Sequence, residues 1–130
     1  MAVITATTNN TPNYTLGIDI GSTTVKIAIL DESHQILFAD YERHFANIQE
    51  TLASLLAKAI DQLGEMTVHP VITGSGGLAL ANHLEVPFVQ EVIAVSSSLQ
   101  ELAPKTDVAI ELGGEDARSF TLRAATSNSV

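Results

Sequence analysis

Two apolar runs in this chain each end in a glycine loop with an acid shortly before the glycine. The first reads Gly17-Ile18-Asp19-Ile20-Gly21-Ser22-Thr23-Thr24-Val25-Lys26-Ile27-Ala28-Ile29-Leu30. The second reads Val108-Ala109-Ile110-Glu111-Leu112-Gly113-Gly114-Glu115-Asp116, about 90 residues further on. A strand that stops at a glycine leaves bare backbone N–H groups at its tip, and the nearby carboxylate suits a hard cation. Two such loops in one short chain point to a cleft for a nucleotide. Either loop alone would serve equally as a polar or acidic hairpin turn.

The remaining chemistry has to fit an acidic, cysteine-free chain. Its 130 residues carry 15 Asp and Glu against 6 Lys and Arg, a formal net charge of −9. That balance leaves no basic stripe for a nucleic-acid backbone, so nucleic acid is excluded as a partner. It also repels free ATP, so a phosphate site here must work through local backbone dipoles and a bridging cation. With no cysteine there is no disulfide, thiolate metal site or thiol nucleophile, which fits a cytoplasmic protein. The apolar stretches are too short and interrupted to span a bilayer. Residues 1–13 are Thr/Asn-rich without the basic and apolar regions of a signal peptide, and read as a flexible lead-in.

Between Tyr14 and His44 the pattern is strand, turn, strand, turn, strand, with Leu16, Ile18, Ile20 and Val25, Ile27, Ile29 alternating against their neighbours. A helix follows from about Asn47 to Leu63, its apolar face made of Ile48, Leu52, Leu55, Leu56, Ala59, Ile60 and Leu63. Asn47 with Glu50 reads as a capping box and Gly64 as the C-terminal glycine. Val68–Thr73 is the fourth strand, Leu78–Leu84 a short helix, Phe88-Val89 a short extended piece, and Glu91–Leu102 a further helix. Asp107–Leu112 and Arg118–Arg123 read as strands forming a hairpin, and residues 124–130 as a flexible tail. The expectation is an α/β lobe over residues 14–123, with a mixed five- to six-stranded sheet in the order βββαβαβ and flanking helices.

In the first loop, Gly21 removes a side chain that would block a phosphate, and the hydroxyls of Ser22, Thr23 and Thr24 can donate to its oxygens. Asp19 can hold Mg²⁺ through water or orient an attacking water. Lys26 offers a cation if its strand turns it the right way. In the second loop Gly113 and Gly114 permit close approach, with Glu111, Glu115 and Asp116 as metal-side carboxylates. Gly74-Ser75-Gly76-Gly77 either presents helix N-terminal amides to an anion or is a flexible strand-to-helix connection. It has no Gly-Lys-Ser/Thr ending and is not a Walker loop. His34, His44, His69 and His83 lie far apart without metal-site spacing and read as surface or packing residues.

The first loop resembles the first phosphate motif of the superfamily of acetate and sugar kinases, heat-shock chaperones and actin. Within it, the chain is similar to the ATPases that activate 2-hydroxyacyl-CoA dehydratases and benzoyl-CoA reductases. Val71-Ile72-Thr73-Gly74-Ser75-Gly76-Gly77 matches that family's strand ending in Thr-Gly-x-Gly, and Ile110–Arg118 its Asp-Ile-Gly-Gly-Gln-Asp-x-Lys motif. The resemblance covers about Tyr14 to Arg123. It implies a ribonuclease H-like fold in two lobes, with ATP or ADP and Mg²⁺ between them. In that family hydrolysis drives an electron from an iron–sulfur cluster, shared across a homodimer, to the dehydratase. By position, Gly21, Ser22, Thr23, Thr24, Gly113 and Gly114 would cradle phosphate. Asp19 and Asp116 would be the catalytic acids, and Asp19, Glu111 and Asp116 the metal ligands.

Glu111 stands where the pattern has Asp, and Glu115 where it has Gln. The helix near Glu91–Ser98 lacks the family's Glu-x-x-x-His, and the cysteine segments and second lobe are missing. The expected protein is therefore the N-terminal lobe of such an ATPase. It holds no iron–sulfur cluster of its own and turns over little ATP alone. Its expected partners are nucleotide, its own C-terminal lobe, a dehydratase-like enzyme and a second copy. The alternatives are a fragment of a sugar or carboxylic acid kinase of the same superfamily, or a non-catalytic interaction module.

Overall fold

The computed structural model of the chain describes residues 12–105, 108–112 and 117–121. These divide into two compact units, one ending at Val89 and the other beginning at Gln90. Residues 1–11 of the lead-in expected over 1–13, the tail expected over 124–130 and the second glycine loop at 113–116 lie outside the described residues, and Asn13 belongs to the first strand.

The first unit is a four-stranded mixed sheet with two helices. Strands β1 (Asn13–Ile20), β2 (Thr24–Leu30) and β3 (Ile36–Arg43) form an antiparallel meander. Helix α1 (Ile48–Leu63) then carries the chain back to β4 (Thr67–Thr73), which pairs in parallel with β1. The strand order is β3-β2-β1-β4. Pro70 cannot donate to a ladder and sits in β4, at the sheet edge, where that is tolerated.

Strict alternation builds the core. Leu16, Ile18 and Ile20 of β1 and Val25, Ile27 and Ile29 of β2 are buried on one face, and Gly17, Asp19 and Lys26 fall on the other. Onto the buried face packs α1, through Leu52, Leu55 and Ala59, with Ile48, Leu56, Ile60 and Leu63 partly buried beside them. These are the seven positions expected from the helical period. Helix α2 (Gly77–Leu84) adds buried Ala81, with Leu80 and Leu84 at the core margin.

The ends of α1 obey the sequence signals unevenly. Gly64 is the C-cap and donates its N–H to Ile60 O at 2.8 Å. Asn47 occupies the N-cap, but its side chain makes no capping hydrogen bond. Instead its carbonyl accepts from both the N–H and the hydroxyl of Thr51, at 3.0 and 2.8 Å. The capping-box expectation is therefore corrected: the turn before α1 sets Asn47 at φ −101°, ψ 65°, which is not the extended geometry of a capping residue.

The second unit comprises α3 (Glu91–Leu102) and a two-stranded antiparallel ribbon of β5 (Val108–Leu112) and β6 (Ala117–Thr121). The mixed sheet therefore has four strands, fewer than the five or six expected, and β5 pairs with β6 in a sheet of its own. The outer edge of β4 carries further backbone pairing. There Ile72 N–H donates to Pro87 O and Val89 N–H to Ile72 O, both at 2.9 Å, forming a parallel bridge from Ile72 to Phe88. An extended segment too short to count as a strand thus takes ladder positions on that edge.

Candidate functional site

The first glycine loop is the turn between β1 and β2. Cα pairing ends at Ile20 and Val25, and Gly21 N–H closes the turn on Thr24 O at 2.9 Å. Closure uses that one amide; those of Ser22 and Thr23 donate to no backbone carbonyl among the described residues. Gly21 has little beside it. A Cβ there would lie 3.4 Å from Thr24 O and 3.6 Å from Thr24 Oγ1, at ordinary contact distance.

Asp19 lies one residue inside β1, on the face away from the core, its side chain 36% exposed. The antiparallel register sets Lys26 directly opposite it, with Nζ 3.8 Å from Oδ2. Strand alternation therefore turns Lys26 toward the acid, which resolves its orientation. In the parallel ladder Asp19 is paired with Thr73, whose Oγ1 is buried without a hydrogen-bond partner among the described residues. A buried hydroxyl beside a carboxylate is a place where an ordered water is commonly held.

The loop Gly74-Ser75-Gly76-Gly77 backs this arrangement rather than swinging free. Gly76 N–H donates to Ile20 O at 2.9 Å. Gly74 has φ +101°, and a Cβ on it would overlap the Ile20 carbonyl oxygen and lie 2.6 Å from Asp19 Oδ1. The glycine thus leaves the Asp19 carboxylate its position.

His44 departs most from the sequence reading. It is 8% exposed, and Nε2 lies 3.0 Å from Gly21 O. Nδ1 accepts from Ala46 N–H at 3.0 Å, and the His44 main-chain N–H donates to Thr23 O at 3.0 Å. A signal for it exists in the meander: Thr24 pairs with Arg43, so residue 44 has to fall beside the turn.

Of the expected site residues, the fold brings Asp19, Gly21, Ser22, Thr23 and Thr24 together at one end of β1 and β2. Glu111 lies in β5, opposite Arg118 in the ribbon. Gly113, Gly114 and Asp116 lie outside the described residues. Among the described residues no three His, Asp or Glu side chains cluster as a metal set. No described helix is long and apolar enough to cross a membrane.

No protein-family model matches the chain, and no curated protein does. Solved structures do. The (R)-2-hydroxyglutaryl-CoA dehydratase component A of Acidaminococcus fermentans is similar at a TM-score of 0.72 and 21% identity, over 85% of this chain and 43% of that one. The activator of 2-hydroxyisocaproyl-CoA dehydratase from Clostridium difficile, solved with bound ADPNP, gives 0.68 and 25%, over 85% and 41%. A ROK family glucokinase from Streptomyces griseus, in complex with glucose and AMPPNP, gives 0.56 and 18%, over 84% and 44%. The fold is therefore the mixed α/β, ribonuclease H-like fold of actin-like ATPases. The resemblance to dehydratase activators holds in three dimensions, and the chain spans less than half the length of either of the first two proteins.

Proposed function

We propose that this chain is the N-terminal, phosphate-binding lobe, over residues 14–123, of an activator-type ATPase. The intact protein would couple ATP hydrolysis to electron transfer into a 2-hydroxyacyl-CoA dehydratase-like enzyme. One observation carries the reading. Asp19, Lys26 and the Gly21–Thr24 turn converge at one end of a mixed sheet, in a fold similar to that of an activator solved with ADPNP.

The chemistry follows from what each group can do. The amides and hydroxyls of Ser22 and Thr23 donate to phosphate oxygens, and Gly21 lets those oxygens approach the backbone. Lys26 adds positive charge in a chain whose net charge of −9 otherwise repels the ligand. The Asp19 carboxylate and the Thr73 hydroxyl are hard oxygen donors, which fits Mg²⁺ held through water; when bound, the ion neutralises phosphate charge. Asp19 also orients water near the reacting phosphate. Glu111, Gly113, Gly114 and Asp116 belong to the segment that resembles the second phosphate motif. With half of the cleft in hand, the chain alone is expected to hydrolyse little ATP.

Calorimetric titration with Mg-ADP and Mg-ATP, with Asp19→Ala as control, tests this. Binding that the variant loses supports a preformed phosphate site. Absence of binding at millimolar nucleotide, both here and in a longer chain carrying the second lobe, would favour a non-catalytic module. Rapid Asp19-dependent turnover by this chain would overturn the half-site reading.

The glucokinase similarity supports a second reading, a kinase acting on a sugar or carboxylic acid. It ranks second because its TM-score is 0.56 against 0.72 and 0.68. Stimulation of Mg-ATP consumption by glucose or acetate in the longer chain would promote it.

A further inference from the structure

His44 holds the first glycine loop by both its ring and its backbone. The two ring contacts assign the tautomer. A backbone N–H can only donate, so the Nδ1 that meets Ala46 N–H is unprotonated. The proton is then on Nε2, which donates to the Gly21 carbonyl at 3.0 Å. One neutral tautomer satisfies both partners.

The consequence for the loop is geometric. In a planar trans peptide the C=O and the following N–H point in opposite directions. Holding Gly21 O therefore fixes the direction of the Ser22 N–H, which points away from the imidazole. The His44 backbone N–H holds Thr23 O in the same way, at 3.0 Å. Two of the turn's carbonyls are thus bound by one buried residue.

The chain accepts backbone strain at this place. Phe45 and Ala46 both have positive φ, 45° and 67°, in a tight turn closed by Asn47 N–H on His44 O. That backbone is the one Asn-Gly would ordinarily supply. Left-handed conformation is unfavourable for a non-glycine residue, and such strain persists where the surroundings over-determine it. Here it sets the Ala46 N–H against Nδ1 and so orients the ring.

We infer that His44 is the positioning residue of the phosphate site, presenting the Ser22 amide to the phosphate of a nucleoside di- or triphosphate. This rests on the reading of the first loop as phosphate-binding.

The test uses the 130-residue chain, with His44→Gln and His44→Ala. Glutamine places an amide nitrogen where Nε2 stands and can donate to Gly21 O; alanine cannot. Mg-ADP titration is expected to show His44→Gln within about threefold of the unaltered protein and His44→Ala weakened about tenfold, the scale of one hydrogen bond. In nitrogen-15 spectra the Ser22 amide should respond to Mg-ADP in the unaltered protein and in His44→Gln, and not in His44→Ala. Equal affinity in His44→Ala, or equal losses in both variants that track a lowered Tm, would overturn the inference. If neither the unaltered protein nor a longer chain carrying the second lobe binds nucleotide, the phosphate reading has failed. The imidazole nitrogen-15 spectrum then still decides: a fixed Nε2–H tautomer supports the brace, and an Nδ1–H or averaged imidazole removes it.

Discussion

Gly21 and Gly74 flank Asp19 and are glycines for different reasons. Gly74 sits at φ +101° with no room for a Cβ between the Ile20 carbonyl and the Asp19 carboxylate. Gly74→Ala is therefore expected to cost about 2 kcal/mol or more, read as a shifted urea midpoint. Gly21 has ordinary contact space around its missing Cβ, so Gly21→Ala should leave stability within about 0.5 kcal/mol. The same change places a methyl group where a phosphate would approach, and Mg-ADP affinity should fall about tenfold. A Gly21→Ala protein that binds normally would mean the glycine serves only the turn. At this scale Asp19 and the 21–24 loop were legible, because their pattern lies within six residues of chain. His44 was not, because its partner is 23 residues away and a lone histidine carries no local signature.

Helix α1 shows what periodicity can and cannot settle. Every residue of its expected apolar face lies in the core or packs against it, and Leu55 at its centre is fully buried. Leu55→Ala should cost about 3 kcal/mol through lost transfer energy and a residual cavity, measured by chemical denaturation; a loss below about 1 kcal/mol would mean the site collapses. On the solvent side, Lys58 ties α1 to β3 by hydrogen bonds to Glu42 at 2.8 Å and Asp40 at 3.4 Å. The Glu42 bond raises the lysine above its usual pKa, but an exposed pair of this kind adds little stability. The missing Asn47 cap was not readable, because Asn47 N–H is engaged by His44 O at 2.6 Å, a contact that the preceding turn creates.

In the whole molecule, the buried core of the described residues, from Leu16 to Ala81, lies in the first unit. No residue of α3 is buried. A chain ending at Val89 is therefore expected to unfold cooperatively, by circular dichroism. A broad, non-cooperative melt would show that the first unit does not fold by itself. By itself the sequence determined the identity and order of the elements, the core face of β1, β2 and α1, and the acid-glycine tip of the first hairpin. Those features depend on alternation, helical period and turn chemistry, which act within a few residues. Only the tertiary structure decided that β4 lies parallel to β1, which sets Thr73 and Gly74 against Asp19, and that the third strand delivers His44 to the Gly21 carbonyl. Ladder order and buried hydrogen bonds join residues distant in the chain, and no local pattern in the sequence encodes which of them will meet.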